Sequence, residues 1–204
     1  MGKYDNTSMA EVKRLAKQND PEAEYELAWR YYTSSDWQNA VNWFKKITLI
    51  DNHPNRVKSV SMLASIYAAN GSPYSDKNEA VRLYESIKNV PTAIIAKLNL
   101  GFLYCEMNRI NDGLDLIEGS VKMLIDEDGN DGYLKQIECY KIGVAYEGAQ
   151  CFELSKAYYK KAIERCDRNY ESDRNLIQKA TDAIADCDRR KSMRLEDMGK
   201  YRKR

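Results

Sequence analysis

Side-chain catalysis needs an acid, a base or a nucleophile held against a partner, and this sequence offers few candidates. It has one histidine, His53, in the turn Asp51-Asn52-His53-Pro54-Asn55. A lone imidazole in a polar turn is expected to be solvated, and with no second histidine and no evident partner it supports neither Ser–His nor Cys–His chemistry. The five cysteines, Cys105, Cys139, Cys151, Cys166 and Cys187, are separated by 34, 12, 15 and 21 residues. No two lie close enough for a zinc knuckle, so they are expected to be reduced and mostly buried as small apolar side chains. Asp126, Asp128 and Asn130 occupy alternate positions, as in a calcium loop. The sixth position is Asp131 where the sharp turn needs glycine, and the twelfth is Ile137 where a bidentate Glu belongs, so Asp126–Gly132 reads as an acidic connecting loop. No glycine-rich phosphate loop is present, and the many carboxylates fall on helix exteriors and in turns. The sequence therefore predicts no catalytic residue, no cofactor site and no metal site, and hence a non-enzymatic protein.

The elements that carry these residues are set by a phrase that occurs four times. It reads Leu27-Ala28-Trp29-Arg30-Tyr31, Leu63-Ala64-Ser65-Ile66-Tyr67, Leu100-Gly101-Phe102-Leu103-Tyr104 and Ile142-Gly143-Val144-Ala145-Tyr146, with starts 36, 37 and 42 residues apart. Leu or Ile and the Tyr four residues later share one helix face, and the small residue beside Leu admits a second helix closely. That second helix follows each time, in Ala40-Val41-Asn42-Trp43-Phe44, Ala80-Val81-Arg82-Leu83-Tyr84, Gly113-Leu114-Asp115-Leu116-Ile117 and Ser155-Lys156-Ala157-Tyr158-Tyr159. Small against large at facing positions is how antiparallel helices interlock. One hairpin cannot bury its apolar face alone, so neighbours must stack.

These residues resemble the tetratricopeptide family and its relative, the SEL-one-like repeats. Nine residues separate Tyr from the small residue in three repeats (Tyr31 to Ala40, Tyr104 to Gly113, Tyr146 to Ser155), the tetratricopeptide length. The second repeat has thirteen, and its Gly71-Ser72-Pro73 with Asp76 is similar to the longer SEL-one-like loop, as is Asn19-Asp20-Pro21-Glu22-Ala23 at the entry to the first. Glu24, Val60, Lys97 and Cys139 stand where the family places an early Trp. The resemblance covers roughly residues 8–166 and implies an all-α fold, a right-handed α-α superhelix of about four repeats with capping helices at both ends. It also implies a concave groove lined by the first helices. The matching positions here are Tyr25, Trp29 and Tyr32; Ser61, Ser65 and Ala68; Leu98, Phe102 and Cys105; Tyr140, Val144 and Glu147. Of these, Tyr25, Trp29, Tyr32, Ser61, Ser65, Leu98, Phe102, Tyr140 and Val144 are the expected partner-binding residues.

The chain divides, on this reading, into a flexible segment 1–7, one repeat domain 8–188 and a basic tail 189–204. The repeats run at about 21–50, 56–89, 92–125 and 133–167, and a capping helix at about 172–188 carries the apolar stripe Leu176, Ile177, Ala180, Ala183, Ile184 and Cys187. The tail holds eight basic and two acidic residues, a net of +6, which leaves −5 for the remainder of a chain of net charge +1. No apolar run of membrane-spanning length and no secretory signal core is present, so the expected location is the cytoplasm. The expected function is an adaptor that binds a peptide or partner protein, such as an effector, a toxin or a component of an assembly. The alternative is a nucleic-acid-associated regulator acting through the tail; that tail has only Tyr201 for base stacking and an acidic body beside it.

Overall fold

The computed structural model describes residues 3–4, 6–128, 132 and 134–201, the side chains of 126–128 and 195–201 excepted. Among the described residues there are ten helices and no strand: α1 (Met9–Lys17), α2 (Pro21–Thr33), α3 (Trp37–Thr48), α4 (Arg56–Ala68), α5 (Lys77–Ile87), α6 (Ile94–Glu106), α7 (Ile110–Asp128), α8 (Gln136–Gly148), α9 (Phe152–Glu164) and α10 (Glu171–Tyr201). They fall into two units, Met1–Leu100 and Gly101–Arg204, with the division inside α6.

Local chemistry starts and stops these helices. Ser8, Asp20, Asp36 and Asp76 each accept a hydrogen bond from a backbone N–H of the first turn of α1, α2, α3 and α5, and Pro21 opens α2 with its φ already helical. The repeat phrase sets the turn that follows. In three hairpins the carbonyl of the phrase Tyr accepts from the N–H five residues on: Asp36 to Tyr31 at 2.9 Å, Arg109 to Tyr104 at 2.8 Å and Cys151 to Tyr146 at 2.9 Å. The residue before that donor, Ser35, Asn108 or Gln150, is left-handed with φ near +60°. In the second hairpin the same carbonyl, Tyr67, accepts from Asp76 at 2.8 Å, so the longer loop is an insertion into the same closure rather than a different turn.

The phrase residues form the interior. Leu27, Leu63, Leu100 and Ile142 are all buried, as are Tyr67, Tyr104 and Tyr146. In the first unit α1 packs on α2, α2 on α3, α3 on α4 and α4 on α5; in the second α7 packs on α8, α8 on α9, and α10 on both α9 and α8. The small positions are what permit these approaches. A Cβ placed on Gly101 would lie 2.8 Å from the Gly113 carbonyl oxygen, and one on Gly113 would lie 2.6 Å from the Gly101 carbonyl oxygen and 2.4 Å from the Cys105 sulfur.

Four expectations change. The segment 1–7 is not loose at its described residues: Tyr4 is buried against Val12, Ala16, Ala23 and Leu27, and its hydroxyl donates to Asp20 at 2.9 Å. Arg30 donates to the Tyr4 and Thr7 carbonyls at 2.6 and 2.7 Å, which ties that segment to α2. The final helix does not end at 188 but runs to Tyr201, because Arg189, Arg190 and Lys191 find carboxylates on Asp186, Glu147 and Glu153. Of the five cysteines, none in a disulfide, Cys139 and Cys187 are buried, Cys105 and Cys166 are partly so, and Cys151, at the exposed turn into α9, is open to solvent.

His53 is the fourth. It is buried, with Nε2 3.1 Å from an Oε of Glu24 on α2 and Nδ1 accepting the Asn55 N–H at 3.1 Å. Because Nδ1 accepts, the proton sits on Nε2 and is donated to the carboxylate. The other Glu24 oxygen accepts from Lys46 of α3 at 2.7 Å. Glu24 lies on the core face, where breaking a buried pair to leave the carboxylate alone costs roughly 3–5 kcal/mol; the histidine and the lysine are what make it tolerable. His53 thus joins the first hairpin to the start of α4.

Candidate functional site

The first unit carries an open surface on its helices. Its floor and walls come from the helices that open three successive repeats, α2, α4 and α6. A cleft of about 350 Å³ lies between Tyr25 on α2, Pro54 before α4, Lys58, Ser61 and Met62 on α4, and Ile95 and Ala96 on α6. The Tyr25 ring leans on Phe44 of α3, centroids 6.0 Å apart, and the Lys58 ammonium stands 5.9 Å from its centre. Burial, with Glu22 and Glu26 nearby, pushes the Tyr25 hydroxyl above its ordinary range, so it remains a protonated donor. Ile95 is half exposed, an aliphatic side chain offered to solvent at the rim of the cleft.

An aromatic group follows toward the end of α2. Trp29 is 40% exposed and stacks on Tyr32 at 5.5 Å. Tyr32 in turn meets the edge of Trp37, the first residue of α3, at 5.6 Å. Tyr25, Trp29 and Tyr32 recur at four and three residues along one face of α2, so one helix presents all three.

The other expected groove residues divide. Ser61 lines the cleft. Ser65 is half-buried, its hydroxyl donating to the Ser61 carbonyl at 3.0 Å and lying 2.8 Å from the Tyr84 hydroxyl of α5; it fastens the hairpin. Leu98 is fully buried and Phe102 nearly so, and neither lines an open surface. The reason lies in α6, which carries Ile94, Ile95, Leu98, Leu100, Phe102, Leu103 and Tyr104 around most of its circumference; a helix that is apolar nearly all round is covered nearly all round. Lys141 of α8 lies over the Phe102 ring at 5.3 Å. Tyr140 is half-buried against Tyr159, centroids 5.4 Å apart, while Val144 is half exposed.

Lys58, Met62 and Ile95 were not among the expected residues. Lys58 and Ile95 stand five residues before the phrase Leu, one helical turn ahead of Tyr25 and Ser61, which stand two before it. The period that places the latter on the face also places the former there, toward the helix N-termini.

Burial pushes the Cys105 thiol up to about 11 and raises Cys166 and Cys187 in the same direction, which keeps these thiols protonated and poorly nucleophilic. Tyr159 and Tyr146 are shifted upward by burial, with Glu147 and Glu118 accepting from their hydroxyls. Among the described residues no cluster of three or more His, Cys, Asp or Glu side chains could hold a metal. The Asp126–Gly132 loop falls mostly outside the described side chains. Among the described residues no helix is long and apolar enough to cross a membrane.

No family model and no curated protein matches the chain. Solved structures do. A thermophilic TPR protein of Thermus thermophilus, TTC0263, is 18% identical with a TM-score of 0.57, over 87% of this chain and 89% of its own. The MamA protein is 18% identical with a TM-score of 0.57, over 90% of this chain and 88% of its own. Nearly identical TPR-like repeats from Podosopora anserina, assigned to a kinesin light chain, are 19% identical with a TM-score of 0.55, over 87% of this chain and 89% of their own. The chain has a tetratricopeptide-like helical-repeat fold. The tetratricopeptide-like class, an α-α superhelix, accounts for the four recurrent turn closures and for the small residues at helix contacts.

Proposed function

We propose that the chain is a non-enzymatic adaptor that binds a peptide or a segment of a partner protein across the first helices of its N-terminal unit. The observation that carries this is the cleft between α2, α4 and α6, with an aromatic wall at Tyr25, a cation at Lys58 and an open aliphatic rim at Ile95. Such a surface suits an extended or helical segment with two apolar anchors, one against Tyr25 and Ile95 and one on the Trp29–Tyr32 stack. Buried aromatics carry most of the affinity in interfaces of this kind. The partner class is a protein: an effector, a toxin or a component of an assembly. Arg189, Arg190 and Lys191 of the C-terminal helix each pair with a carboxylate of the chain, and no observation favours nucleic acid. Five cysteines outside any disulfide, one of them exposed, suit the reducing cytoplasm.

The test is photo-crosslinking from position 61, with a photoreactive residue in place of Ser61, in the native host. The expected result is capture of a discrete protein, with Ile95→Asp and Trp29→Ala each weakening its binding at least about tenfold, or 1.4 kcal/mol. Helical circular dichroism should be retained in both, since both side chains are substantially exposed. Capture that neither substitution alters would place recognition elsewhere on the chain.

A further inference from the structure

A second pocket belongs to the C-terminal unit. It has a volume of about 420 Å³ and sits where the turn Gln150–Cys151 enters α9, against α10. Its walls are Cys151, Phe152 and Leu154, and its rim carries Lys191 and Arg194. Glu153 also lines it, paired with Lys191 at 2.6 Å and Lys156 at 3.2 Å. Leu154 is half exposed, so the apolar wall is open to solvent. A cavity of this size falls within the range of about 300–1,000 Å³ that holds small ligands, and it has room for two aliphatic side chains.

The N-terminal unit carries a matching projection. Leu49 is 83% exposed and Ile50 is 42% exposed, at the turn between α3 and α4, and the exposed Asp51 follows them. These two adjacent aliphatic side chains are offered to water on a turn that is fixed on both sides. The Leu49 N–H donates to Lys45, the Ile50 N–H to Ile47, and the His53 N–H to the Ile50 carbonyl at 3.1 Å. Arg56 Nε donates to the Thr48 carbonyl at 3.1 Å, and the buried His53 anchors the far side. A projection held in place loses little conformational freedom when it docks.

We infer that the chain associates with a second copy of itself, the Leu49–Ile50–Asp51 turn of one copy seating in the Cys151–Phe152–Leu154 pocket of the next, with Asp51 facing Arg194. Shape and charge agree: an apolar pair followed by a carboxylate meets an apolar hollow whose rim carries Arg194 and the Lys191–Glu153 pair. The wider charge distribution agrees too, since residues 189–204 carry a net +6 and the rest of the chain −5. Knob and pocket are different surfaces, so two reciprocal contacts close a pair, while unreciprocated ones build larger rings or chains. Neither surface shares a residue with the proposed peptide cleft, and self-association does not depend on that cleft being used.

Sedimentation velocity on the full chain over a range of concentrations tests it. The wild type should rise in average mass with concentration and fall back as salt screens the Asp51 contact. Leu49→Asp and Leu154→Asp, both at exposed positions, should each weaken the association at least about tenfold. Each variant keeps one intact surface, so an equal mixture of the two should form a complex that stops at two chains. A wild type that stays monomeric throughout overturns the inference. So does an association that survives both substitutions, or one that only one of them disturbs.

Discussion

The first two hairpins carry alanine at both small positions, Ala28 with Ala40 and Ala64 with Ala80, and all four are fully buried. The third carries glycine at both, Gly101 and Gly113, and the fourth has Gly143 with Ser155. The difference shows in what surrounds them. In the third hairpin each glycine faces the other's carbonyl oxygen, so backbone meets backbone. In the fourth, a Cβ on Gly143 would lie 2.6 Å from the Tyr159 ring, and Ser155 donates to the Gly143 carbonyl at 2.8 Å. An alanine pair sets the separation of two helices by methyl contact. A glycine pair removes that spacer and lets the main chains set it. The same repeat pattern therefore holds two grades of helix contact.

The largest expected effect is Gly113→Ala. Replacing glycine by alanine inside a helix ordinarily gains about 1 kcal/mol, but here the new methyl meets a carbonyl oxygen that cannot rotate away. Overpacking of this kind costs about 1–3 kcal/mol, and with a main-chain neighbour the upper part of that range applies. Urea unfolding should show a net loss of about 1–2 kcal/mol after the helical gain is subtracted. A neutral or stabilising result would mean that the third hairpin is no tighter than the first two.

Ala80→Gly tests the other side of the comparison. It removes a methyl spacer from α5 and loosens the helix, at a cost of about 1 kcal/mol for the backbone. If alanine is the fitted spacer there, the loss also includes the buried methyl, about 0.8 kcal/mol, and an increase in stability would refute that role. The smallest effect, opposite in sign, is expected at Gly119 in α7. It is exposed, with nothing within 4 Å of a Cβ placed on it. Gly119→Ala should raise stability by up to about 1 kcal/mol, in the same helix where Gly113→Ala lowers it. Thermal melts of the two variants side by side decide whether glycine is required by position or merely present.

Much of the fold was legible because it depends on short-range spacing. Leu–Tyr at four residues, a small residue beside Leu and nine residues to the next small one are sufficient to place helix, turn and helix. The turn closure at Tyr31, Tyr104 and Tyr146 follows from the same count. The site was legible only as far as a helix face is. Periodicity put Tyr25, Trp29, Ser61, Leu98 and Phe102 on comparable faces, but it does not say which face a neighbour covers. Leu98 and Phe102 were lost to that, although the apolar circumference of α6 was visible in the sequence. His53 was misread for a related reason: its partner Glu24 lies 29 residues away. The signal was on the partner, a carboxylate at a position the family fills with Trp, which had to find donors or leave the core. Tyr4 and the continuation of α10 turn on distant pairings too, with Asp20 and Arg30 in one case and Glu147 and Glu153 in the other.

The Glu24–His53 contact has a use beyond holding two hairpins together. The chain contains no other imidazole. In a nitrogen-15 spectrum of the folded protein, every imidazole resonance belongs to this ring. Its two nitrogens should read as one protonated and one bare, with the proton on Nε2, for as long as α2 and the start of α4 remain docked. If that junction opens, the ring is released to exchange between tautomers, and its signals move to averaged positions. A single natural residue thus serves as a built-in gauge of whether the first repeat is seated on the second, readable while a ligand is added or the chain is stretched.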